Sequence, residues 1–207
     1  MAWIRTVDPD DADGQLREAY DWQASVDARP SGLIGLGSLH PPLVVERLRL
    51  ARVGDDVPSS LTPVDRHLAA FVVALLCGSP SGADAAREAL GRAGCAPELV
   101  ARIEASPELP SAGDRRVDAV CSHAAKLTLL PGSMTAGDIR RLRDAGLDDL
   151  DLLDLNNVVA YHNYVNRVMV GLGLDADGTS PGAPDGAGDG AAVDGGTVPS
   201  SMPVEGA

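Results

Sequence analysis

The chain of 207 residues is poor in aromatic side chains and in long apolar runs. Aromatic residues make up 3% of it although 44% is hydrophobic, so Ala, Val and Leu must fill the core. Such side chains suit closely packed helices better than aromatic-rich strands. The longest apolar run, residues 68–77, is far shorter than the roughly 18 residues that cross a bilayer, and it fits a buried helix. We therefore expect a helical protein without a membrane partner.

Cysteine is also scarce. Cys77, Cys95 and Cys121 are widely spaced and odd in number, which argues against a disulfide framework and is typical of a reducing compartment. The first residues lack a basic region followed by an apolar run, the pattern of a secretory signal. These absences predict a cytoplasmic protein.

Basic charge is in short supply, and the net charge is -13. An acidic protein of this kind repels phosphate backbones, so we expect no nucleic-acid partner. The last 33 residues hold six acidic residues, no basic one and twelve Gly or Pro. Such a segment buries too little apolar surface to offset the entropy of ordering it. We predict a helical domain over residues 1–174 and a disordered Gly/Pro/Asp-rich tail over 175–207.

Almost no segment alternates with period two, and helix start and stop signals recur along the chain. Thr62 and Pro63 begin a central helix that Gly78 ends, and Ser79 or Ser81 caps the next. The glycine-containing residues 30–42 predict a hinge loop. Further helices are predicted over residues 12–25, 43–53, 82–93, 97–105, 115–130, 135–146 and 150–172. The pattern indicates an all-α bundle of about seven or eight helices.

Two stretches are similar to one known family. Residues 61–90, LTPVDRHLAAFVVALLCGSPSGADAAREAL, read as a capped apolar helix, a short break and a second helix. The second stretch, residues 124–174, and the N-terminus add spaced motifs: Lys126-Leu127-Thr128, Thr135, Asp138, Leu142 to Gly146, Asn166-Arg167, Gly171-Leu172-Gly173, Trp3-Ile4 and Val7-Asp8-Pro9. Together they resemble the peroxidase-related branch of the AhpD-like family, also called the carboxymuconolactone decarboxylase superfamily. The resemblance implies an AhpD-like helical bundle.

The resemblance also implies a site that this chain does not reproduce. In the family a glutamate on the central helix acts with Cys-X-X-Cys and a following histidine. One thiolate attacks a peroxide, and the second thiol resolves the product to a disulfide. By spacing, the glutamate falls on His67, the cysteines on Ser79 and Gly82, and the histidine on Ala86. In the lactone decarboxylase branch, the resemblance implies histidines at the positions where this chain has Ala85 and Ala86. The thiol peroxidase mechanism cannot run on these side chains, and the histidines of the decarboxylase branch are not matched.

Three residues at or near this position are the candidates for catalysis. His67 is either a replacement acid or base or a locally bonded histidine near a helix end. Cys77 is either a relocated peroxidatic thiol or a small packed residue. Ser79 is either a nucleophile, if His67 reaches it, or a helix cap. His162 and Asn166 share one helix face, but no further ligand joins them at metal spacing. The sequence predicts no metal and no cofactor.

Two functions remain open. The first is a non-catalytic AhpD-like binding or partner subunit, degenerate at the peroxidase site. It would form a homo-oligomer, as the resemblance implies, or pair with a CxxC-containing AhpD-like sister protein. The alternative is an enzyme, either a peroxidase-related oxidoreductase that uses Cys77 or an acid–base enzyme that uses His67.

Overall fold

The computed structural model describes residues 2–26, 32–55 and 57–174, and within them it contains nine α-helices and no strand. The helices are α1 (Gly14–Val26), α2 (Gly32–Gly37), α3 (Pro41–Asp55), α4 (Pro63–Leu76), α5 (Pro80–Arg92), α6 (Pro97–Ala105), α7 (Arg115–Leu129), α8 (Ala136–Asp144) and α9 (Asp149–Gly171). The predicted all-α bundle is confirmed. The predicted tail, 175–207, lies outside the described residues. In the described part of the chain, none of the helices has both the length and the apolar character that crossing a bilayer requires.

Helix α4 is the buried centre of the bundle. Two reciprocal hydrogen bonds cap its start. Thr62 Oγ1 accepts a hydrogen bond from the Asp65 amide at 3.1 Å, and Asp65 Oδ2 accepts one from the Thr62 amide at 3.0 Å. Residues 68–74 are at most 3% exposed, and α5, α7 and α9 pack around them. A helix that is apolar on every side is stable only when it is covered on every side.

The sequence also determines how α4 ends. Gly78 has a φ of 63°, and the Ser79 amide donates to the carbonyl oxygen of Ala74 at 3.0 Å. This is the left-handed glycine end that satisfies the last carbonyls of a helix. The chain then turns directly into α5, whose first residue is Pro80.

The glycine-containing hinge predicted over residues 30–42 is wrong in part, because α2 occupies Gly32–Gly37. Ile34 and Leu36 on this short helix are buried, and burial outweighs the poor helix propensity of glycine. Its glycines let neighbours come close. A Cβ at Gly37 would lie 2.7 Å from a methyl group of Val44.

A polar clamp ties the segment before α4 to α7 and α9. Its members are Ser59, Ser60, Asp65, Arg66, Arg116, Asp151 and Asp154. Asp151 accepts from the Ser60 amide at 2.6 Å and from the Ser60 hydroxyl at 2.8 Å. Arg66 donates to Asp154 at 2.7 Å. Because each buried carboxylate has partners, the clamp avoids the penalty of an unpaired buried charge.

The clamp makes stability depend on pH. Burial of Asp151 opposes its ionisation, but hydrogen bonds from Asp148 and Ser60 outweigh burial and lower the pKa of Asp151 below its ordinary value. The stabilisation by its charge is therefore complete above the unfolded-state pKa, about 3.9, and is lost as pH falls through the folded-state pKa.

Asp151→Asn should lower the free energy of unfolding at pH 7 by about 2 kcal/mol, because a charged acceptor of two Ser60 hydrogen bonds becomes neutral. The difference from wild type should shrink as pH falls below about 4. Urea unfolding at a series of pH values measures both quantities. Asp21→Asn, at an exposed position of α1, is the control and should change little. An Asp151→Asn penalty that is the same at pH 7 and pH 3 would contradict the assignment.

Candidate functional site

The resemblance places the site at the junction of α4 and α5, and there Ser79 is a helix cap. Its side chain is 2% exposed, and its Oγ accepts from the Gly82 amide at 3.3 Å. Serine is favoured at this position because its oxygen satisfies an amide that the first turn leaves without a partner. The prediction that Ser79 or Ser81 caps α5 is confirmed for Ser79.

Gly82 lies one turn into α5, directly against Asn166 of α9. A Cβ built on Gly82 would lie 1.9 Å from Asn166 Oδ1, 3.0 Å from Asn166 Cγ and 2.9 Å from Ser79 Oγ. Cβ atoms in proteins essentially never approach another heavy atom within 3.0 Å. The Asn166 amide therefore fills the space that a side chain at position 82 would need.

The Asn166 side chain is 1% exposed and only half satisfied. Its Nδ2 donates to the His162 carbonyl oxygen at 2.7 Å, which orients the amide. No donor among the described residues reaches its Oδ1. A buried carbonyl without a partner costs about 1–3 kcal/mol. The Oδ1 of Asn166 therefore destabilises the fold, and it does so beside Gly82, where the resemblance places a cysteine.

Cys77 lies at the C-terminal end of α4 in a network with α9. Its thiol donates to Asn163 Oδ1 across 3.8 Å, and Arg167 donates to the same oxygen. Asn163 Nδ2 in turn donates to Thr128 Oγ1 at 2.9 Å. Burial raises the pKa of Cys77, although the charge of Arg167 opposes the shift. Burial therefore favours the thiol form of Cys77, which is the unreactive one.

His67 and His162 lie close enough for their charges to interact. Burial, together with the charge of His67, lowers the pKa of His162 to about 4. His162 is therefore neutral at pH 7. His67 is in the second turn of α4, whereas Ser79 follows its last turn, so roughly 13 Å of helix separates them. His67 therefore acts on His162 through its charge, and most of the length of α4 separates it from Ser79.

The other two cysteines, Cys95 and Cys121, also have raised thiol pKa values. Burial raises the pKa of Cys121 to about 12, with smaller contributions from Asp118, Asp65 and Cys95. Burial also raises the pKa of Cys95. Both are free, as is Cys77.

A cavity of about 340 Å³ lies elsewhere, between α7 and α8. Lys126 and Asp138 on its wall form an ion pair at 2.8 Å. His123, also on the wall, is buried, and burial lowers its pKa. The sequence gives no signal for His123, because it is a single histidine within an amphipathic helix. In the described ranges, no three His, Cys, Asp or Glu side chains are grouped so that they could hold a metal ion.

The sequence matches no model of a known protein family and no curated protein. Solved structures match in fold. The first is an uncharacterized peroxidase-related protein from Ralstonia eutropha JMP134, described as an alkylhydroperoxidase AhpD core, with TM-score 0.70 and 14% identity, covering 83% of this chain and 90% of that one. The second is a peroxidase-related protein from Silicibacter sp. TM1040, with TM-score 0.69 and 19% identity, covering 80% and 87%.

A third match is a variant of the debrominase Bmp8 in complex with 2,3,4-tribromopyrrole. Its TM-score is 0.67 at 15% identity, and the likeness covers 87% of this chain and 92% of that one. At such low identities the likeness establishes the fold alone. The chain has the all-α fold of the AhpD core.

His67→Gln should raise the pKa of His162 above about 4, because the mutation removes a positive charge that opposes protonation of the second imidazole. NMR titration of the histidine ring protons measures the shift. His40→Gln, at an exposed histidine of the loop before α3, should leave it unchanged. A His162 pKa that does not respond to His67→Gln would show that the two rings are not coupled.

Proposed function

We propose that this chain is an AhpD-like protein that has lost the thiol peroxidase site and acts as a non-catalytic binding or partner subunit. One observation carries the proposal. At the start of α5, where the resemblance calls for two thiols one helical turn apart, the chain has a hydroxyl engaged as a cap and a glycine without room for a side chain.

The thiols that are present do not suit peroxide chemistry. A peroxidatic cysteine must become a thiolate, and burial raises the pKa of all three. Cys121, in the core, is the extreme case. The Ser79 hydroxyl is no substitute, because peroxide does not oxidise serine reversibly and its oxygen already accepts the Gly82 amide.

Cumene hydroperoxide with dithiothreitol as reductant tests the proposal. We expect turnover no faster than that of an unfolded control with the same three thiols, because none of them is activated. Peptide mass spectrometry after stoichiometric peroxide should show slow, scattered oxidation.

Two outcomes would contradict the proposal. Fast turnover that Cys77→Ser abolishes would assign a one-cysteine peroxidase. Rapid joint loss of the Cys95 and Cys121 thiols, with a disulfide between them, would assign a different redox pair.

The proposed partner is a second copy of this chain, docked through the outer face of α9. That face comprises Leu150, Leu153, Asn157, Ala160, Tyr164, Arg167 and Gly171. Leu153 is 58% exposed and Tyr164 is 41% exposed. Beside this face the carboxylate of Asp149 is paired with Arg143 at 2.5 Å. The seven residues of the face carry no acidic side chain, and in a chain of net charge -13 two copies meet with least repulsion where unpaired carboxylates are absent. A CxxC-containing sister protein would dock on the same face.

Leu153→Glu should weaken self-association by roughly 30-fold, because it places a carboxylate at the centre of an apolar contact. Size-exclusion chromatography with light scattering over a concentration series measures the effect. Val53→Glu on α3 is the matched control, since Val53 is also exposed but lies off the proposed face. Wild type that stays monomeric throughout, or a Leu153→Glu variant that associates as wild type does, would overturn the oligomer proposal.

An acid–base enzyme that uses His67 is the second candidate, and the coupling of His67 with His162 favours it. A histidine that is neutral at pH 7 can accept a proton from a substrate, and a second histidine can donate one. Any turnover found in a substrate screen should then be abolished by His67→Ala. Turnover that survives this substitution would remove the candidate.

A further inference from the structure

Gly82 of α5 and Asn166 of α9 are in close contact at the α4–α5 junction. We propose that Asn166 closes the α4–α5 junction: its amide occupies the volume of a side chain at position 82, so the two positions are coupled. The junction can then accommodate cysteines at positions 79 and 82 only when Asn166 is replaced by a smaller residue. This rests on the proposed function and extends it, because it names a residue outside the motif that excludes the redox pair.

The contact is too close to be relieved by small adjustments. A Cβ at position 82 would lie 1.9 Å from Asn166 Oδ1 and 3.0 Å from Asn166 Cγ. Relief to ordinary contact would require the whole amide group to move. Every residue other than glycine therefore meets Asn166 at its first side-chain atom.

Asn166 is also held in place. Its side chain is 1% exposed, and its Nδ2 is bound to the His162 carbonyl oxygen one turn earlier on α9. Turning the amide away from Gly82 would break that hydrogen bond inside a packed interior. The obstruction is thus part of α9, and changes to α5 alone cannot remove it.

The backbone of α5 does not itself require glycine at position 82. Gly91 lies on the same helix, and a Cβ there would meet nothing within 4 Å. Neither glycine has a positive φ. The two positions differ in their neighbours, which at position 82 are Asn166, at 1.9 Å, and Ser79 Oγ, at 2.9 Å. Asn166 makes the closer contact, and Gly91 provides a matched control.

A double-mutant cycle tests the coupling. Gly82→Ala alone should raise the unfolding equilibrium constant by roughly 10- to 100-fold, the usual cost of overpacking. In the Asn166→Ala background the same substitution should cost much less, because only Ser79 Oγ, at 2.9 Å, remains close to the new Cβ. Gly91→Ala should be neutral or stabilising in either background, because alanine favours helix. Urea unfolding of the four proteins gives the coupling directly.

The proposal fails if Gly82→Ala costs the same in both backgrounds. It also fails if Gly82→Ala is as harmless as Gly91→Ala in the wild-type protein. Because alanine is a small substitution, these variants test the contact even if larger changes unfold the chain.

A second experiment tests whether Asn166 prevents a disulfide between cysteines introduced at positions 79 and 82. Ser79→Cys with Gly82→Cys should not form a disulfide, whereas the same pair with Asn166→Ala should form one on addition of cumene hydroperoxide. In that step two thiols lose two protons and two electrons to one S–S bond, and the hydroperoxide is reduced to cumyl alcohol and water. Thiol counting should show two thiols lost per peroxide.

Ser79→Cys with Asn166→Ala, which has one new thiol, is the control and should form no such bond. Disulfide formation in the variant that keeps Asn166 would overturn the proposal, as would its absence from the folded triple variant. These outcomes are independent of the proposed function, which is tested by the reaction of the wild-type chain with peroxide.

Discussion

The complete burial of α4 is the constraint on which the rest of the structure depends. Residues 68–74 carry only apolar side chains and are all buried, so the helix is covered on all sides. Helices α5, α7 and α9 provide that cover. The polar clamp fixes the one end of α4 where charges occur, and its buried carboxylates are matched by Arg66 and Arg116. The remaining helices pack outside this unit or beside it.

The same constraint determines what can exist at the α4–α5 junction. Because α9 packs against α4, its inward side chains reach the start of α5, and three consecutive contacts there come from one stretch of α9. Asn163 holds the Cys77 thiol, Asn166 fills the space beside Gly82, and the backbone of His162 orients Asn166. The junction is thus a packed polar interface and not an open site in this chain.

Local signals predicted much of this arrangement. The Thr62–Pro63–Asp65 cap, the Gly78 turn and the serine cap of α5 depend on neighbouring residues, so the sequence reveals them directly. The glycine-rich sequence around α2 predicts a loop. The helix forms because Ile34 and Leu36 are buried, which depends on distant residues and leaves no local signal. The contact of Gly82 with Asn166 could not be predicted, since it joins helices far apart in the chain and depends on their packing.

The contact also explains two otherwise separate anomalies. A glycine within a helix costs about 1 kcal/mol relative to alanine, and a buried carbonyl without a donor costs about 1–3 kcal/mol. Each would be removed by a single substitution if it stood alone. Together they restrain each other, because alanine at position 82 collides with the amide, and shortening Asn166 leaves a cavity beside glycine. A side chain at position 82 therefore requires a change at position 166 as well, so neither unfavourable feature is removed by a single substitution.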